Sequence, residues 1–253
     1  GEGNAEGASV AAFQGIALAL IIATVLGIFG GIYAHDLLRL MGADDEIIAT
    51  GGTFARIMLA GNGVIMLLFM MNAAFRGSAD AAIAMRVLWV ANAINLVLDP
   101  CLIFGLGPFP ELGVTGTAVA TTIGRGVGVL LQLFVLFRGH ARIKLAWRHV
   151  RLHTDVMLRV LRLSGTGTLQ IFISTASWIG LVRVVAGFGS EALAGYTIAI
   201  RIVLFALLPA WGLANAAATM VGQNLGAQQP ARAERAAWIA GHINFAILGT
   251  IGI

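Results

Sequence analysis

The sequence predicts an all-α integral membrane protein, and three observations carry that reading. Hydrophobic residues fill 58% of the 253 positions and charged residues only 11%, with a mean hydropathy of +0.89. Soluble domains carry about 25% charge, so lipid is the solvent this composition suits. Apolar residues also gather in seven runs, most of them near the ~20 residues that carry a helix across hydrocarbon. Finally, glycine is abundant at 33 residues, as expected where small residues let membrane helices approach closely. Ten-residue blocks of alternating polarity are missing, which argues against a barrel. The single cysteine, Cys101, excludes an internal disulfide and any multi-cysteine metal site.

The runs fall at Val10–Tyr33, Phe54–Phe75, Ala81–Leu106, Val114–Phe137, Leu163–Phe188, Ala192–Val221 and Ala236–Ile253. Their linkers set the orientation. The fourth linker carries Arg138, Arg142, Lys144, Arg148, Arg151, Arg159 and Arg162 against one acid, Asp155. By the positive-inside rule it is cytoplasmic. Alternation then places Arg76, Arg86, Arg232 and Arg235 on the same side, and leaves Arg39 and Arg56 outside beside Asp36, Asp44, Asp45 and Glu46. The net charge of +4 reflects that basic linker rather than a nucleic-acid surface, whose interleaved basic and aromatic pattern is missing. His149 and His153, spaced i, i+4, lack an acidic or cysteine partner and read as a solvated helix face rather than a zinc site.

Polar groups inside the third and fourth runs are the main functional lead. A charged side chain at mid-bilayer costs at least about 2.5–3.5 kcal/mol, so Asp99 must face a cavity, a partner or a proton. Asn95 and Asn92 precede it at helical spacing, on one face. The Gly105–Gly113 connection makes the two runs an antiparallel hairpin centred near Pro108. Residues equidistant from Pro108 share a depth: Asp99 with Thr117, Asn95 with Thr121, Asn92 with Gly124 and Arg125. Thr117, Thr121 and Arg125 also share a face. For Asn92, Thr121 and Thr122 helix packing competes with function, and for Asp99 the competing role is an ion pair with Arg125. Pro100 removes a backbone donor directly after Asp99 and frees a carbonyl one turn earlier. Asn62, Gln170 and Arg201 are further candidates to line a central cleft, while Met66, Met70 and Met71 read as core or lipid contacts before they read as a drug site.

Three stretches carry a family resemblance. "EALAGYTIAIRIVLFALLPAWGLANAAATMVGQNLGA" (Glu191–Ala227) ends in a Gly-Gln-x-x-Gly turn, "FRGSAD" spans Phe75–Asp80, and "NLVLDPCLIFG" precedes "ELGVTGTAVAT" (Asn95–Gly105, Glu111–Thr121). In this order they resemble the multidrug and toxic compound extrusion (MATE) family of transporters. The resemblance implies seven transmembrane helices, the third to ninth, of a twelve-helix, two-lobe fold. It divides the chain into part of an amino-terminal lobe (1–137), a basic inter-lobe loop (138–162) and part of a carboxy-terminal lobe (163–253). A faint repeat agrees: Gly1 falls on Gly226, Ala8 on Ala233, Phe13 on Trp238 and Gly27 on Gly252. Parallel halves of a membrane protein leave such a pattern. It implies about 63 residues ahead of this chain and about 109 behind it.

The sequence departs from the family pattern in two places. Ala79 stands where the loop motif has its second glycine. Gly165-Thr166-Gly167 stands where the NorM-like branch has a Gly-x-Pro turn, with Ser174 and Thr175 near that branch's cation-binding Glu. The second departure favours the DinF-like branch. The resemblance then implies a first-lobe cation site using Asn95, Asp99 and Thr117 with an acid from the first helix, which this chain does not contain.

The expected activity is antiport in a bacterial or archaeal inner membrane. Organic cations or drugs would leave by alternating access of two lobes, in exchange for H⁺ or Na⁺. Neither a phosphate-binding loop nor a catalytic triad is present, so no enzyme, no cofactor beyond the coupling ion and no nucleic-acid partner is expected. Membrane lipid and a small, cationic organic substrate are the expected partners, with a monomeric full-length protein. Two alternatives remain open: a lipid-linked oligosaccharide flippase, which requires Arg125 and Arg201 to face the cleft, and a non-transporting scaffold.

Overall fold

A computed structural model describes residues 5–40, 45–138 and 152–251. Asp44, Arg142, Lys144, His149 and the rest of the basic linker through Arg151 lie outside them. The described residues form nine helices: α1 (Ala5–Ile32), α2 (Ala34–Leu40), α3 (Asp45–Ala60), α4 (Asn62–Gly77), α5 (Ala81–Phe104), α6 (Val114–Arg138), α7 (Thr154–Ala186), α8 (Ser190–Gly226) and α9 (Pro230–Ile251). Five of them (α1, α5, α6, α7 and α8) are each long and apolar enough to cross a membrane, and α3 with α4 form a sixth, bent span. All-helical construction follows from the solvent, because lipid offers no partner to a free backbone group.

The structure corrects the sequence expectation in several places. The second apolar run is two helices, bent by 43° at Gly61. A side chain there would meet the Ile57 carbonyl at 2.9 Å and the Thr122 hydroxyl at 3.2 Å. Glycine thus permits both the bend and the approach of α6. The helix also starts earlier than the apolar run, with Asp45 and Glu46 in its first turn, where acids suit the helix dipole. Arg56, counted as an outer loop residue, is therefore helical. Gly165-Thr166-Gly167 makes no turn: α7 runs through it unbroken. The seventh run forms α9, 22 residues long, whose start carries Arg232, Glu234 and Arg235 and which is less apolar than the five spans.

The chain divides into two compact units, one of Asn4–Met157 and one drawn chiefly from Leu158–Ile253. The first has a core of Ala12, Ile16, Leu68, Met71, Phe75, Ala84, Val87, Val129 and Leu136. Met71 is fully buried in it, and Met70 closes over Gly15. Polar groups are buried in pairs. Gln132 Nε2 donates to Asn72 Oδ1 at 2.7 Å, joining α6 to α4, and the His153 amide donates to Gln14 Oε1 at 3.1 Å. In lipid such bonds satisfy groups that would otherwise stay unpaired. In the second unit α8 packs on α9, and the Asn244 amide reaches the Ala210 carbonyl at 3.5 Å. α7 exposes large apolar side chains such as Leu169, Phe172 and Ile179, as a lipid-bathed helix can.

One turn occurs twice. After α4, the amides of Ser78, Ala79 and Asp80 donate to Ala74, Arg76 and Phe75 carbonyls at 3.0, 3.1 and 2.8 Å. After α8, the amides of Ala227, Gln228 and Gln229 donate to Gln223, Leu225 and Asn224 carbonyls at 3.0, 2.9 and 2.9 Å. Each turn places a non-glycine residue in the left-handed region, Ala79 at φ 67° and Gln228 at φ 56°. Ala79 is the position where the loop motif has glycine. A left-handed L-residue costs about 1–2 kcal/mol. Ala79→Gly should therefore raise stability by about 0.5–1 kcal/mol after glycine's own entropic cost, read as a higher midpoint of thermal unfolding in detergent. A lower midpoint would refute the strain.

Candidate functional site

The α5–α6 hairpin positions the polar residues. Gly105 ends α5 in the left-handed region at φ 65°, a conformation that glycine adopts without penalty. The chain then folds back, and the Leu112 and Gly113 amides donate to the Leu102 and Ile103 carbonyls at 2.8 and 3.3 Å. These bonds lock the register about Pro108. Along α6 the buried small residues Gly116, Ala120, Gly124 and Gly128 recur every fourth position and face α5. A side chain at Gly116 would lie 2.5 Å from the Leu102 carbonyl oxygen, and one at Gly124 would lie 2.9 Å from that of Ala91. Such close backbones bring even short polar side chains within reach.

Asn95 Nδ2 donates to Thr121 Oγ1 at 3.4 Å across the hairpin, the pair matched in depth by sequence. Asp99 is half-buried, and its Oδ1 is buried with no hydrogen-bond partner. Among the described residues it forms no ion pair with Arg125; Arg39 pairs with Asp45 at 3.8 Å on the surface. Thr117 is half-buried, but among the described residues no hydrogen bond joins it to Asp99. Asn92 is exposed and turned off the hairpin contact, because Gly124 lies against Ala91 and Asn95 instead. Thr122 donates to the Ala118 carbonyl of its own helix at 2.8 Å. Pro100 lies inside α5, so the Leu96 carbonyl lacks the amide that would normally meet it.

Each unit holds a cavity. In the first unit about 470 Å³ is lined by Leu20, Ala23, Thr24, Gly27, Ile28, Gly31 and Ile32 of α1 with Arg56, Ala60 and Gly63. Arg56 is its single charged group. In the second unit about 1000 Å³ lies between α7 and α8, with Gln170, Ser174, Thr175, Trp178, Trp211 and Asn215 among its lining residues. Gln170 is thus a lining residue, while Arg125, Arg201 and Asn62 line neither cavity. Arg56, Trp178, Trp211 and Asn215 escaped the sequence reading. The i, i+4, i+8 stripe Gln170, Ser174, Trp178 and the matching stripe Trp211, Asn215, Ala218 were the signal for the second cavity.

Comparison with known proteins adds the following. The profile of the family described as MatE matches residues 1–101 and 168–253. The probable multidrug resistance protein YoeA of Bacillus subtilis is 28% identical over 235 residues, covering 91% of this chain and 50% of the relative. The FAD transporter of Shewanella oneidensis is 27% identical, covering 93% of this chain and 52% of the relative. The chain therefore spans about half the length of these curated relatives. A solved outward-facing conformation of a multidrug resistance MATE family transporter matches 98% of this chain and 55% of its own, with a TM-score of 0.88 and 26% identity. A Pyrococcus furiosus transporter, described as having a binding pocket of reverse polarity that suggests a different function, matches with a TM-score of 0.82 and 26% identity.

Proposed function

Because the chain belongs to the MatE family, we propose that it forms part of a secondary antiporter of the DinF-like branch. Such a protein exports drugs or organic cations across a prokaryotic inner membrane by alternating access, in exchange for H⁺ or Na⁺, and works as a monomer. In this reading Asp99 is the exchanging group, Asn95 and Thr117 flank it, and Thr121 holds Asn95 in place.

One observation carries the proposal: a buried carboxylate oxygen without a partner, in a helix that spans the membrane. Such an oxygen is destabilised as the bare anion. A proton or Na⁺ arriving from one side relieves that cost, and a change of exposure lets the ion leave on the other. The neighbouring amide and hydroxyl suit either ion.

Arg56 favours a second reading of the substrate. A lone guanidinium in a cavity otherwise lined by uncharged groups attracts a carboxylate or phosphate rather than a cation. The FAD transporter of Shewanella oneidensis, one of the relatives, is named for a substrate that carries phosphates.

The test is reconstitution of the complete transporter in proteoliposomes. Export of a fluorescent dye should follow an imposed pH or Na⁺ gradient; indifference to both refutes antiport. Arg56→Gln should weaken an anionic dye about tenfold and leave a cationic dye unweakened if Arg56 reads charge. Unchanged selectivity removes the anionic reading.

A further inference from the structure

The groove that holds Arg56 joins a lone charge to a long apolar lining, and a phospholipid has both of those parts. We propose that the groove between α1, α3 and α4 seats an anionic phospholipid of the outer leaflet, with its phosphate on Arg56 and one acyl chain along α1. Such a lipid requires no antiport activity. It would meet Arg56 with the same charge as an exported anion, but as a resident rather than as cargo.

Helix packing fixes the depth of Arg56. A side-chain carbon added at Gly31 of α1 would lie 3.3 Å from Ala60 Cβ of α3, and one added at Gly52 of α3 would lie 2.6 Å from the His35 ring of α2. Arg56 stands midway between Gly52 and Ala60, which makes it level with the end of α1 near Ile32. That end is the outer one by the charge of the linkers. Tyr33 follows directly and stacks on Phe29 at 6.4 Å, at the level where aromatic rings gather beside headgroups. A guanidinium at this depth meets phosphates rather than tails. Among the described residues Arg56 has no hydrogen bond or ion pair, and its planar fork suits a phosphate.

The rest of the groove suits a tail. Ala23 and Gly27 are buried at its floor. A carbon added at Gly63 would lie 3.6 Å from Ala23 Cβ, and one at Gly27 would lie 3.1 Å from the Ala60 carbonyl oxygen. Tight packing of α1 on α3 and α4 therefore sets the depth. Leu20, Ile28 and Ile32 line the groove and stay exposed. From Leu20 to Ile32 the helix rises about 18 Å, close to the ~15 Å that the chains of one leaflet fill. Thr24 donates to the Leu20 carbonyl of its own helix at 2.7 Å and so demands nothing of a tail. The volume of about 470 Å³ lies within the range of ligand pockets. A soluble anion would leave this apolar length unused. No acid lines the groove, so an ammonium headgroup finds no partner there and an anionic headgroup is favoured.

The experiment uses the complete transporter, stripped of lipid in detergent, with phosphatidylglycerol as the probe and native mass spectrometry as the readout. Phosphatidylglycerol should be retained, and diacylglycerol with the same chains should bind about tenfold more weakly, because it lacks the phosphate. Equal binding of the two overturns the proposal. Arg56→Gln should weaken phosphatidylglycerol about tenfold. Arg39→Gln, at an outer arginine paired with Asp45, should change nothing; equal effects of the two would reduce Arg56 to general surface charge and overturn the site. Thr24→Trp fills the groove from an exposed position and should weaken the lipid by a similar factor, whereas Ile21→Trp, outside the groove on the same helix, should not. Wild-type affinity in Thr24→Trp overturns the seated tail. Excess inorganic phosphate should leave the lipid in place. Displacement by phosphate, or by the anionic dye, overturns the lipid as occupant and returns the groove to a soluble anion. Arg56→Gln should also keep the wild-type thermal midpoint in lipid-free detergent, since Arg56 has no partner there to lose; a clear fall would make it a structural residue and overturn the site.

Discussion

Asp99→Asn is expected to uncouple transport while leaving the protein at least as stable as before. Asparagine keeps the size and shape of the side chain, but it neither binds a proton near neutral pH nor neutralises Na⁺. In one-for-one exchange, one pH unit supplies about 1.36 kcal/mol and can concentrate a substrate about tenfold. The variant should hold that ratio near one, whichever ion gradient is imposed. Stability gives the control. The Oδ1 atom is buried without a partner, and an amide in its place removes an uncompensated charge. The thermal midpoint should therefore hold or rise. An inactive variant that is also clearly destabilised would show Asp99 to be a structural residue, and wild-type accumulation would remove it from the coupling scheme.

Gly116→Val is expected to cost the fold itself. The first side-chain carbon would sit 2.5 Å from the Leu102 carbonyl oxygen, 2.6 Å from its carbon and 3.0 Å from the Ile103 nitrogen. All three are backbone atoms, which cannot swing aside like a flexible side chain. Nor can this stretch of α5 drift away, because the Leu112 and Gly113 amides hold the Leu102 and Ile103 carbonyls. Overpacking typically costs 1–3 kcal/mol, and here about 3 kcal/mol or more is expected. The readout is a fall in the yield of monodisperse protein and in the thermal midpoint. Gly126→Ala is the matched control on the same helix: nothing lies within 4 Å of the added carbon, so stability should hold or improve slightly. Equal behaviour of the two variants would mean that the α5–α6 contact is not tight.

The hairpin was legible from sequence because its punctuation is strong. Gly105, Pro108 and Gly113 place the centre of the connection, and a centre together with helical rise determines which residues meet. The Asn95–Thr121 hydrogen bond follows from that arithmetic. The α3–α4 span was less legible. Its first turn carries Asp45 and Glu46, and Arg56 lies further along α3; charge counting assigns such residues to a loop, although a helix can begin outside the hydrocarbon. Gly61 reads like the other glycines in sequence, and only the nearby Ile57 carbonyl and Thr122 hydroxyl single it out. Gly165-Thr166-Gly167 stands in place of a Gly-x-Pro turn, and α7 runs through it without a break. In water such a pair invites a turn, but in lipid an open turn would strand backbone groups, and the helix continues. The α7–α8 cavity was missed because each helix was read alone, whereas a cavity belongs to a pair of faces.

The doubled turn changes what counts as the repeating piece of this architecture. Gly77-Ser78-Ala79-Asp80-Ala81 and Gly226-Ala227-Gln228-Gln229-Pro230 share only their first residue, yet their amides find carbonyls in the same pattern. Backbone geometry has been inherited or reinvented at the scale of one helical hairpin, below the scale of a lobe. The corner is therefore set by one left-handed position and its hydrogen bonds, a helix end that many sequences can make. Residue identity at such a corner is then free to change while its backbone stays the same.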